Sequence, residues 1–257
     1  MGRGGKRDGL RRIIGQNVVF YPSLVAGIGY QFVMTGPLTL YYAPDNASLC
    51  VRLALLEMGI PFDTVLVDRS KAGQHDPAYL ALNPNGLIPT LVTPHGPIYE
   101  TAAILLWLSE QHGDALMPSA RADALRWLFW LSNTLHPAIR MNFYPDKYID
   151  SDHIPALVNA VRHQLIAHFA HLDTHADWLE SRDASLLSVY LPPMIRWAAL
   201  YGDGPRWFEI DKSPRLAAFA RWAEQTPAAH EASLAEGLGP TIFSAPQHPN
   251  PPEGSAT

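Results

Sequence analysis

Cysteine is almost absent from this chain, since Cys50 is the only one among 257 residues. A single thiol excludes an intrachain disulfide and agrees with a reducing compartment. Charged residues are scarce as well, at 17% of the total, and the net charge is −5. Without a stripe of lysine and arginine, the chain lacks the electrostatic footprint of a nucleic-acid-binding protein. We therefore expect a cytoplasmic protein that does not bind nucleic acid.

Several common classes of site are also missing from the sequence. It has no paired Cys/His spacing for zinc, no glycine-rich phosphate loop and no Gly-x-Ser-x-Gly nucleophile elbow. Four histidines recur at helical spacing: His163, His168, His171 and His175. Nothing elsewhere nominates a further ligand fixed by the fold. We interpret them as a solvated, helix-capping or dimer-adjacent face, and no metal is expected.

The first 36 residues differ from the rest. A basic start precedes a largely apolar stretch, 13–33, which Pro22, Gly27 and Gly29 interrupt. A positive head and an apolar body are ingredients of a signal anchor, but these interruptions make a poor membrane-spanning helix. We expect residues 1–36 to be a disordered leader or a start-site artefact, with Met34 as the natural start. A membrane-tethered form is the alternative.

After the leader, the chain first alternates strand and helix patterns. Residues 38–42 form a β-rich run, residues 47–58 have helical spacing before Gly59, and residues 62–67 read as a second strand. Two more strands and a helix ending near Gly113 follow. This alternation favours an α/β arrangement.

Beyond the linker at 117–119, strand patterns vanish and helical spacing takes over. The predicted helical runs are 120–135, 154–179, one beginning near Ser185, 214–223 and 228–235. Residues 239–257 contain five prolines, which is typical of a disordered tail.

One stretch carries a family resemblance. Asn-Pro-x-Gly-x-Ile-Pro at 83–89, followed by Glu100 and Thr101, resembles the glutathione-binding half of the cytosolic glutathione transferases. The ending from Arg221 to Leu238 is similar to that of the bacterial beta-type members. The resemblance covers about residues 38–238. It implies a thioredoxin-like α/β domain at 37–114, an all-helical substrate-binding bundle at 119–238 and a homodimer.

The resemblance also implies where glutathione would bind. Pro89 would follow a cis peptide bond, and the backbone of Ile88 would pair with the cysteinyl unit of the tripeptide. Glu100 and Thr101 would hold the γ-glutamyl ammonium and carboxylate, the latter at a helix N-terminus that favours an anion. Lys71 would reach the glycyl end.

The sequence departs from the beta-type pattern at the sulfur. The usual cysteine is replaced by Ala47, which puts thiol-disulfide chemistry in doubt. Ser48 is the best remaining donor to the sulfur, with simple helix capping as the alternative, and Asn46 could donate through its amide. Tyr41 and Tyr42 are further candidates. Cys50, by contrast, is expected to be a buried small hydrophobe.

The second substrate would lie against the helical part of the chain. By the resemblance, His136 lines the cleft, and we expect Arg140 and Tyr144 to border the acceptor pocket. Phe143 and Trp130 are further candidates, and core packing is the alternative for these aromatic residues.

A capping signal in the helical part also differs from the family pattern. The positions that normally hold Ser/Thr-x-x-Asp are Ser185 and Ser188 here, and serine can still cap a helix. Pro192 and Pro193 follow inside the predicted helix, so we expect a kink or a break near Leu191.

These features together predict a glutathione S-transferase active in detoxification. It would bind glutathione as co-substrate and promote attack of the thiolate on small hydrophobic electrophiles, without a metal cofactor. The alternative is a protein of the same fold that lacks transferase activity and acts through protein-protein contacts.

Overall fold

The structure is a computed structural model that describes residues 37–256 except 203 and 205. The predictions for the leader, residues 1–36, fall outside the described residues. The chain from Pro37 onward forms one compact unit. Within the described part of the chain, no helix combines the length and the apolar character needed to cross a membrane.

A four-stranded sheet forms the first layer. Its strands are β1 (Leu38–Tyr42), β2 (Phe62–Leu66), β3 (Thr90–Thr93) and β4 (Gly96–Tyr99). They are ordered β2-β1-β3-β4, with β1 and β2 parallel and the other pairs antiparallel. Parallel neighbours need a crossover connection, whereas β3 and β4 are joined by the two residues Pro94 and His95.

Three helices accompany this sheet. They are α1 (Ser48–Glu57), the short α2 (Pro77–Leu80) and α3 (Thr101–Gln111). Helix α1 supplies the crossover between β1 and β2, and it packs against β1 and α3. The predicted order of strand, helix, strand, hairpin and helix is confirmed.

Six further helices follow. They are α4 (Arg121–Trp130), α5 (His136–Phe143), α6 (Ile154–His175), α7 (Leu186–Leu200), α8 (Pro214–Ala223) and α9 (Pro227–Glu236). A π-helical turn, Leu131–Leu135, joins α4 to α5. Pro137 has no N–H to donate to the preceding turn, and a π-turn is one way in which a helix accommodates such a gap.

Helix α7 passes through both prolines, so the predicted break near Leu191 is wrong. Burial explains the continuity, because every residue from Leu186 to Ala198 is buried. A complete capping box starts the helix: the Ser188 N–H donates to Ser185 Oγ at 3.1 Å and the Ser185 N–H to Ser188 Oγ at 2.7 Å. Packing and capping thus offset the two missing N–H donors.

Two buried ion pairs connect the sheet layer to the helices. Arg52 of α1 donates to Glu236 of α9 at 2.7 Å. Arg196 of α7 donates to Asp45, in the loop between β1 and α1, at 2.8 Å. The Asp45 N–H also donates to Glu236, at 2.8 Å, so the two pairs form one network.

The segment after α9 differs from the expected disordered tail. Ile242 and Phe243 are 2% and 1% exposed. Arg196 donates to the carbonyl of Ile242, and the N–H groups of Phe243 and Ser244 both donate to Glu224. Two apolar anchors therefore hold a proline-rich segment whose composition alone suggests disorder.

The buried network predicts a large asymmetry between two arginine substitutions. Arg52→Met leaves the Glu236 carboxyl buried without its partner and should lower the free energy of unfolding by about 3–5 kcal/mol. Arg121→Met, which removes ion pairs with exposed Glu110 and Asp114, should leave it nearly unchanged. Urea unfolding measures both, and equal effects would contradict the importance of the network.

Candidate active site

A cleft of about 880 Å³ lies between the loops of the sheet layer and the helices α4, α5 and α7. This volume is in the range of small-molecule sites. Four segments form its sheet side: the start of α1, the turns at 69–75, the loop before β3 and the start of α3. The helical side is mostly aromatic and cationic.

The loop before β3 is held rigidly. Asn83 Nδ2 and the Tyr79 hydroxyl both donate to the carbonyl of Leu87, at 2.8 and 2.6 Å. Gly86 has φ 61°, and a Cβ there would lie 3.1 Å from the carbonyl of Gln74. The chain thus reaches Ile88 in a fixed direction.

The peptide bond between Ile88 and Pro89 is cis, as the resemblance implies. Both residues line the cleft. Within the described part of the chain, neither the N–H nor the C=O of Ile88 has a hydrogen-bond partner. This backbone can therefore accept an extended peptide as an additional strand.

The start of α3 presents an acid and a hydroxyl to the same cleft. Glu100 has φ 72°, a conformation that costs energy for a residue with a side chain. Its carbonyl accepts the first helical bond, from Ile104 at 2.9 Å. Glu100, Thr101, Ala102 and Ala103 line the cleft, so the unpaired N–H groups of a helix N-terminus border it.

The start of α1 corrects one prediction. Ser48 is fully buried, its Oγ donates to the carbonyl of Ala43 at 3.1 Å and accepts the Ala43 N–H at 3.3 Å. It is not among the residues that line the cleft. The expectation that its hydroxyl reaches the sulfur is therefore wrong, and it does not cap α1 either. Its hydroxyl closes the β1–α1 turn.

Asn46 and Ala47 do line the cleft. Asn46 Nδ2 donates to two carbonyls, those of Pro44 at 3.0 Å and Ala256 at 3.1 Å. Ala47 is the residue before the first residue of α1. In the described residues, the N–H groups of Ala47 and Ser48 have no acceptor, which leaves an anion-attracting helix N-terminus at this point.

The strand tyrosines and the cysteine lie elsewhere. Tyr41 packs on Tyr79, and the hydroxyl of Tyr42 donates to Glu253. Neither tyrosine lines the cleft. Cys50 is fully buried, as predicted, and burial raises the pKa of its thiol well above the usual value.

On the sheet side of the cleft, the basic residue is Arg69 rather than Lys71. Lys71 points to solvent, with its side chain 82% exposed and paired to Asp68 at 2.8 Å. Arg69 lines the cleft and donates to the carbonyl of Ala256 at 2.9 Å, and its other Nη donates to the Tyr144 hydroxyl. The two residues share one tight turn, Arg69–Lys71, whose register the sequence leaves uncertain.

On the helical side, His136, Arg140 and Tyr144 all line the cleft, and their contact with an acceptor stays a prediction. Their spacing of four residues places them along one helical face. Phe143 joins them, whereas Trp130 does not. Trp130 packs 5.5 Å from Trp127 and 5.6 Å from His171, measured between ring centroids.

His136 is a half-buried, neutral imidazole. Its Nδ1 lies 3.0 Å from the Tyr190 hydroxyl and its ring centroid lies 5.5 Å from that of Trp197. Burial, and then the charge of Arg140, lower the pKa of His136 to about 4. At neutral pH this side chain offers a hydrogen bond and no positive charge.

Sequence reasoning missed the role of Asp45, because no local pattern indicates it. Its carboxylate accepts hydrogen bonds from Arg196 at 2.8 Å, Trp197 at 3.0 Å and the Tyr201 hydroxyl at 2.5 Å. Its φ is 52°, a conformation that aspartate tolerates better than most residues. Asp45 thereby sets the position of the next two residues at the cleft.

The histidine face on α6 forms ring contacts. His168 and His171 pack against Trp130, and His171 lies 4.8 Å from His175. Among the described residues, no group of three or more potential ligands is arranged to hold a metal ion.

Comparison with known proteins places this cleft in context. Residues 47–111 match the family model described as the N-terminal domain of glutathione S-transferase. Glutathione S-transferase GST-4.5 of Xanthomonas campestris pv. campestris is 30% identical over 62% of this chain and 81% of its own length. The disulfide-bond oxidoreductase YfcG of Escherichia coli is 35% identical over 41% of this chain, a match that spans 53% of that protein.

Two solved structures of glutathione transferases are similar in fold to this chain. A beta-class glutathione S-transferase from Sphingomonas chungbukensis is 28% identical, with a TM-score of 0.64 over 78% of this chain and 100% of that chain. A glutathione transferase homologue from Sulfitobacter, solved with bound glutathione, has a TM-score of 0.68 at 24% identity and covers 77% of this chain and 97% of its own. The latter likeness supports the fold.

The environment of His136 predicts how the free energy of unfolding depends on pH. In the unfolded chain its pKa returns to about 6.5, so the unfolded state binds a proton at higher pH than the native state. The free energy of unfolding should therefore fall as the pH is lowered from about 6.5 towards about 4. His136→Gln should lose this part of the pH dependence. An NMR titration of the native protein that gives His136 a midpoint near 6.5 would contradict the assignment.

Proposed function

The chain belongs to the glutathione S-transferase family, and we propose that it binds reduced glutathione and promotes attack of its thiolate on small hydrophobic electrophiles. One observation carries this proposal. The open backbone of Ile88, the pair Glu100 and Thr101, and the N-terminus of α1 line a single cleft. Together they match the peptide, amino-acid and thiol parts of glutathione.

The tripeptide would be held along the sheet side of the cleft. The Glu100 carboxylate would bind the γ-glutamyl ammonium, while Thr101 and the N–H groups that begin α3 would bind the adjacent carboxylate. The N–H and C=O of Ile88 would pair with the cysteinyl unit. Arg69, in place of Lys71, would reach the glycyl carboxylate.

The sulfur would then lie at the N-terminus of α1. The N–H groups of Ala47 and Ser48, the helix dipole and the Asn46 amide would stabilise a thiolate there. The thiol proton passes to solvent, and an electron pair of the sulfur forms the new bond to the electrophile. The leaving group departs with the electrons of the bond that breaks.

The electrophile would occupy the helical side. Phe129, Phe143 and Tyr144 provide apolar surface there, and the neutral His136 adds a hydrogen-bonding group. The proposal includes that the protein acts in detoxification, lies in the cytoplasm and forms a homodimer. Light scattering in solution tests the dimer.

The alternative of a protein without transferase activity, acting only through protein contacts, has no support in the cleft. A scaffold has no physical need for both an open backbone at Ile88 and a strained Glu100 in one cleft.

The proposal is tested by calorimetric titration of the full chain with reduced glutathione, followed by an assay with chlorodinitrobenzene. We expect binding and turnover. Thr101→Val should weaken binding about tenfold, because it removes a hydrogen bond to a charged group. Thr174→Val, on the exposed face of α6, is the matched control. No binding to the unaltered chain would overturn the proposal.

A second pair of substitutions tests the thiolate site. Asn46→Ala should raise the pKa of bound glutathione by about one unit, because it removes a donor near the sulfur. Ser48→Ala should leave that pKa unchanged, since its hydroxyl is buried against Ala43. Titration of the thiolate absorbance distinguishes them, and a shift only in Ser48→Ala would reverse the assignment.

A further inference from the structure

Arg140 stands on the acceptor side of the cleft without a counter-ion. Its guanidinium lies 5.8 Å from the ring centroid of Tyr144 and 5.4 Å from that of Tyr148, and one Nη donates to the Tyr148 hydroxyl. In the described part of the chain, no carboxylate lies within ion-pair distance of it. The aromatic rings fix its position but leave its charge uncompensated.

The other charges of the cleft do not compensate it. The two carboxylates among the lining residues are Asp45, which is paired with Arg196, and Glu100, which lies at the start of α3 on the sheet side. Lys147 pairs with Asp146 at 3.1 Å. His136 is neutral, and its lowered pKa partly reflects the charge of Arg140 itself. The helical wall is thus both aromatic and positively charged.

We propose that the acceptor is an aromatic electrophile that carries a carboxylate, and that Arg140 binds this carboxylate. This inference rests on the proposed function and names its substrate class. A planar guanidinium matches a carboxylate in two parallel hydrogen bonds. The rings of Phe143 and Phe129, which line the same wall, provide apolar contact for the rest of the acceptor. Arg140 also offsets the repulsion between an anionic acceptor and the thiolate.

Binding of a matched probe pair tests the inference without requiring turnover. Dinitrobenzoate and dinitrobenzamide with the same nitro positions differ in charge at one group and have no leaving group. In calorimetry with the full chain saturated by S-methylglutathione, we expect the benzoate to bind at least about tenfold more tightly. Arg140→Gln should abolish this preference, and Arg140→Lys should restore part of it. Lys212→Gln, which removes an exposed charge that does not line the cleft, is the control and should keep the preference.

The outcomes separate this inference from the proposed function. If the chain binds S-methylglutathione but treats benzoate and benzamide alike, the anionic acceptor is refuted and the transferase proposal stands. Equal loss of both probes in Arg140→Gln would assign Arg140 to holding Tyr144 and would also refute it. If the chain binds no glutathione analogue, the proposed function fails first, and this inference fails with it.

A different observation concerns residues 248–256, which we call the tail strap. The backbone carbonyl of Ala256 accepts hydrogen bonds from Asn46 Nδ2 at 3.1 Å and from Arg69 at 2.9 Å. Glu253 is held by the Tyr42 hydroxyl, and His248 packs on Tyr201 at 5.6 Å between ring centroids. Ala256 lines the cleft, so the strap reaches into it.

The strap uses the groups that a bound glutathione would need. Asn46 Nδ2 has two hydrogens, and both already go to the carbonyls of Pro44 and Ala256. We infer that the tail strap competes with glutathione for Asn46 and Arg69, so that binding requires its displacement. This inference also rests on the proposed function, but it does not depend on the nature of the acceptor.

A chain that stops after Pro251 tests the competition. Because it removes Ala256 from the cleft, together with the Glu253 anchor, we expect glutathione to bind about tenfold more tightly, the equivalent of one or two hydrogen bonds. Tyr42→Phe, which releases Glu253 from outside the cleft, should give part of the gain, and Tyr41→Phe should give none. Unchanged or weaker binding by the shortened chain would make the strap a wall of the site and overturn the inference. Absence of binding by every form would overturn the proposed function as well.

Discussion

The buried carboxylate of Asp45 is the interaction on which the cleft depends. It sits in the turn between β1 and α1, yet its three hydrogen-bond donors all belong to α7 or the residue that follows it. Its own N–H is tied to Glu236, and Glu236 to Arg52. A buried charge is stable only when it is paired and hydrogen-bonded. The position of the α1 N-terminus is therefore fixed by the helical part of the chain as well as by the sheet.

In this arrangement the two sides of the cleft present different kinds of binding group. The sheet side presents backbone groups, at Ile88 and at the starts of α1 and α3, whose positions follow from strand pairing and turn geometry. The helical side presents side chains of α4 and α5, which are not among the hydrogen-bond donors to Asp45. Recognition of a constant peptide and of a variable second substrate can thus be separated physically.

The sequence predicted the parts of this structure that local rules determine. Strand β1, helix α8 and the place of Glu100 and Thr101 follow from periodicity and from a motif whose backbone is rigid. The direction of side chains within tight turns does not follow from such rules. The Ser48 hydroxyl points inward, where it bonds to the backbone of Ala43. Arg69 and Lys71 lie in one short turn but their side chains point in different directions, so that Arg69 faces the cleft and Lys71 faces solvent. The packing of Phe243 depends on partners far away in the chain, which composition does not reveal. The expectation of a disordered tail therefore did not hold for this segment.

On the helical side of the cleft, the charge of Arg140 affects the protonation of His136. Arg140 contributes to keeping His136 neutral, since a second positive charge in the same buried space is unfavourable. The neutral imidazole can then bond to the Tyr190 hydroxyl while Arg140 remains the cation of that wall nearest to the aromatic rings. Tyr144 in turn links this wall to Arg69 on the sheet side. A ligand that neutralises Arg140 would therefore also raise the pKa of His136. The occupancy of the acceptor site is thereby coupled to the protonation of this histidine.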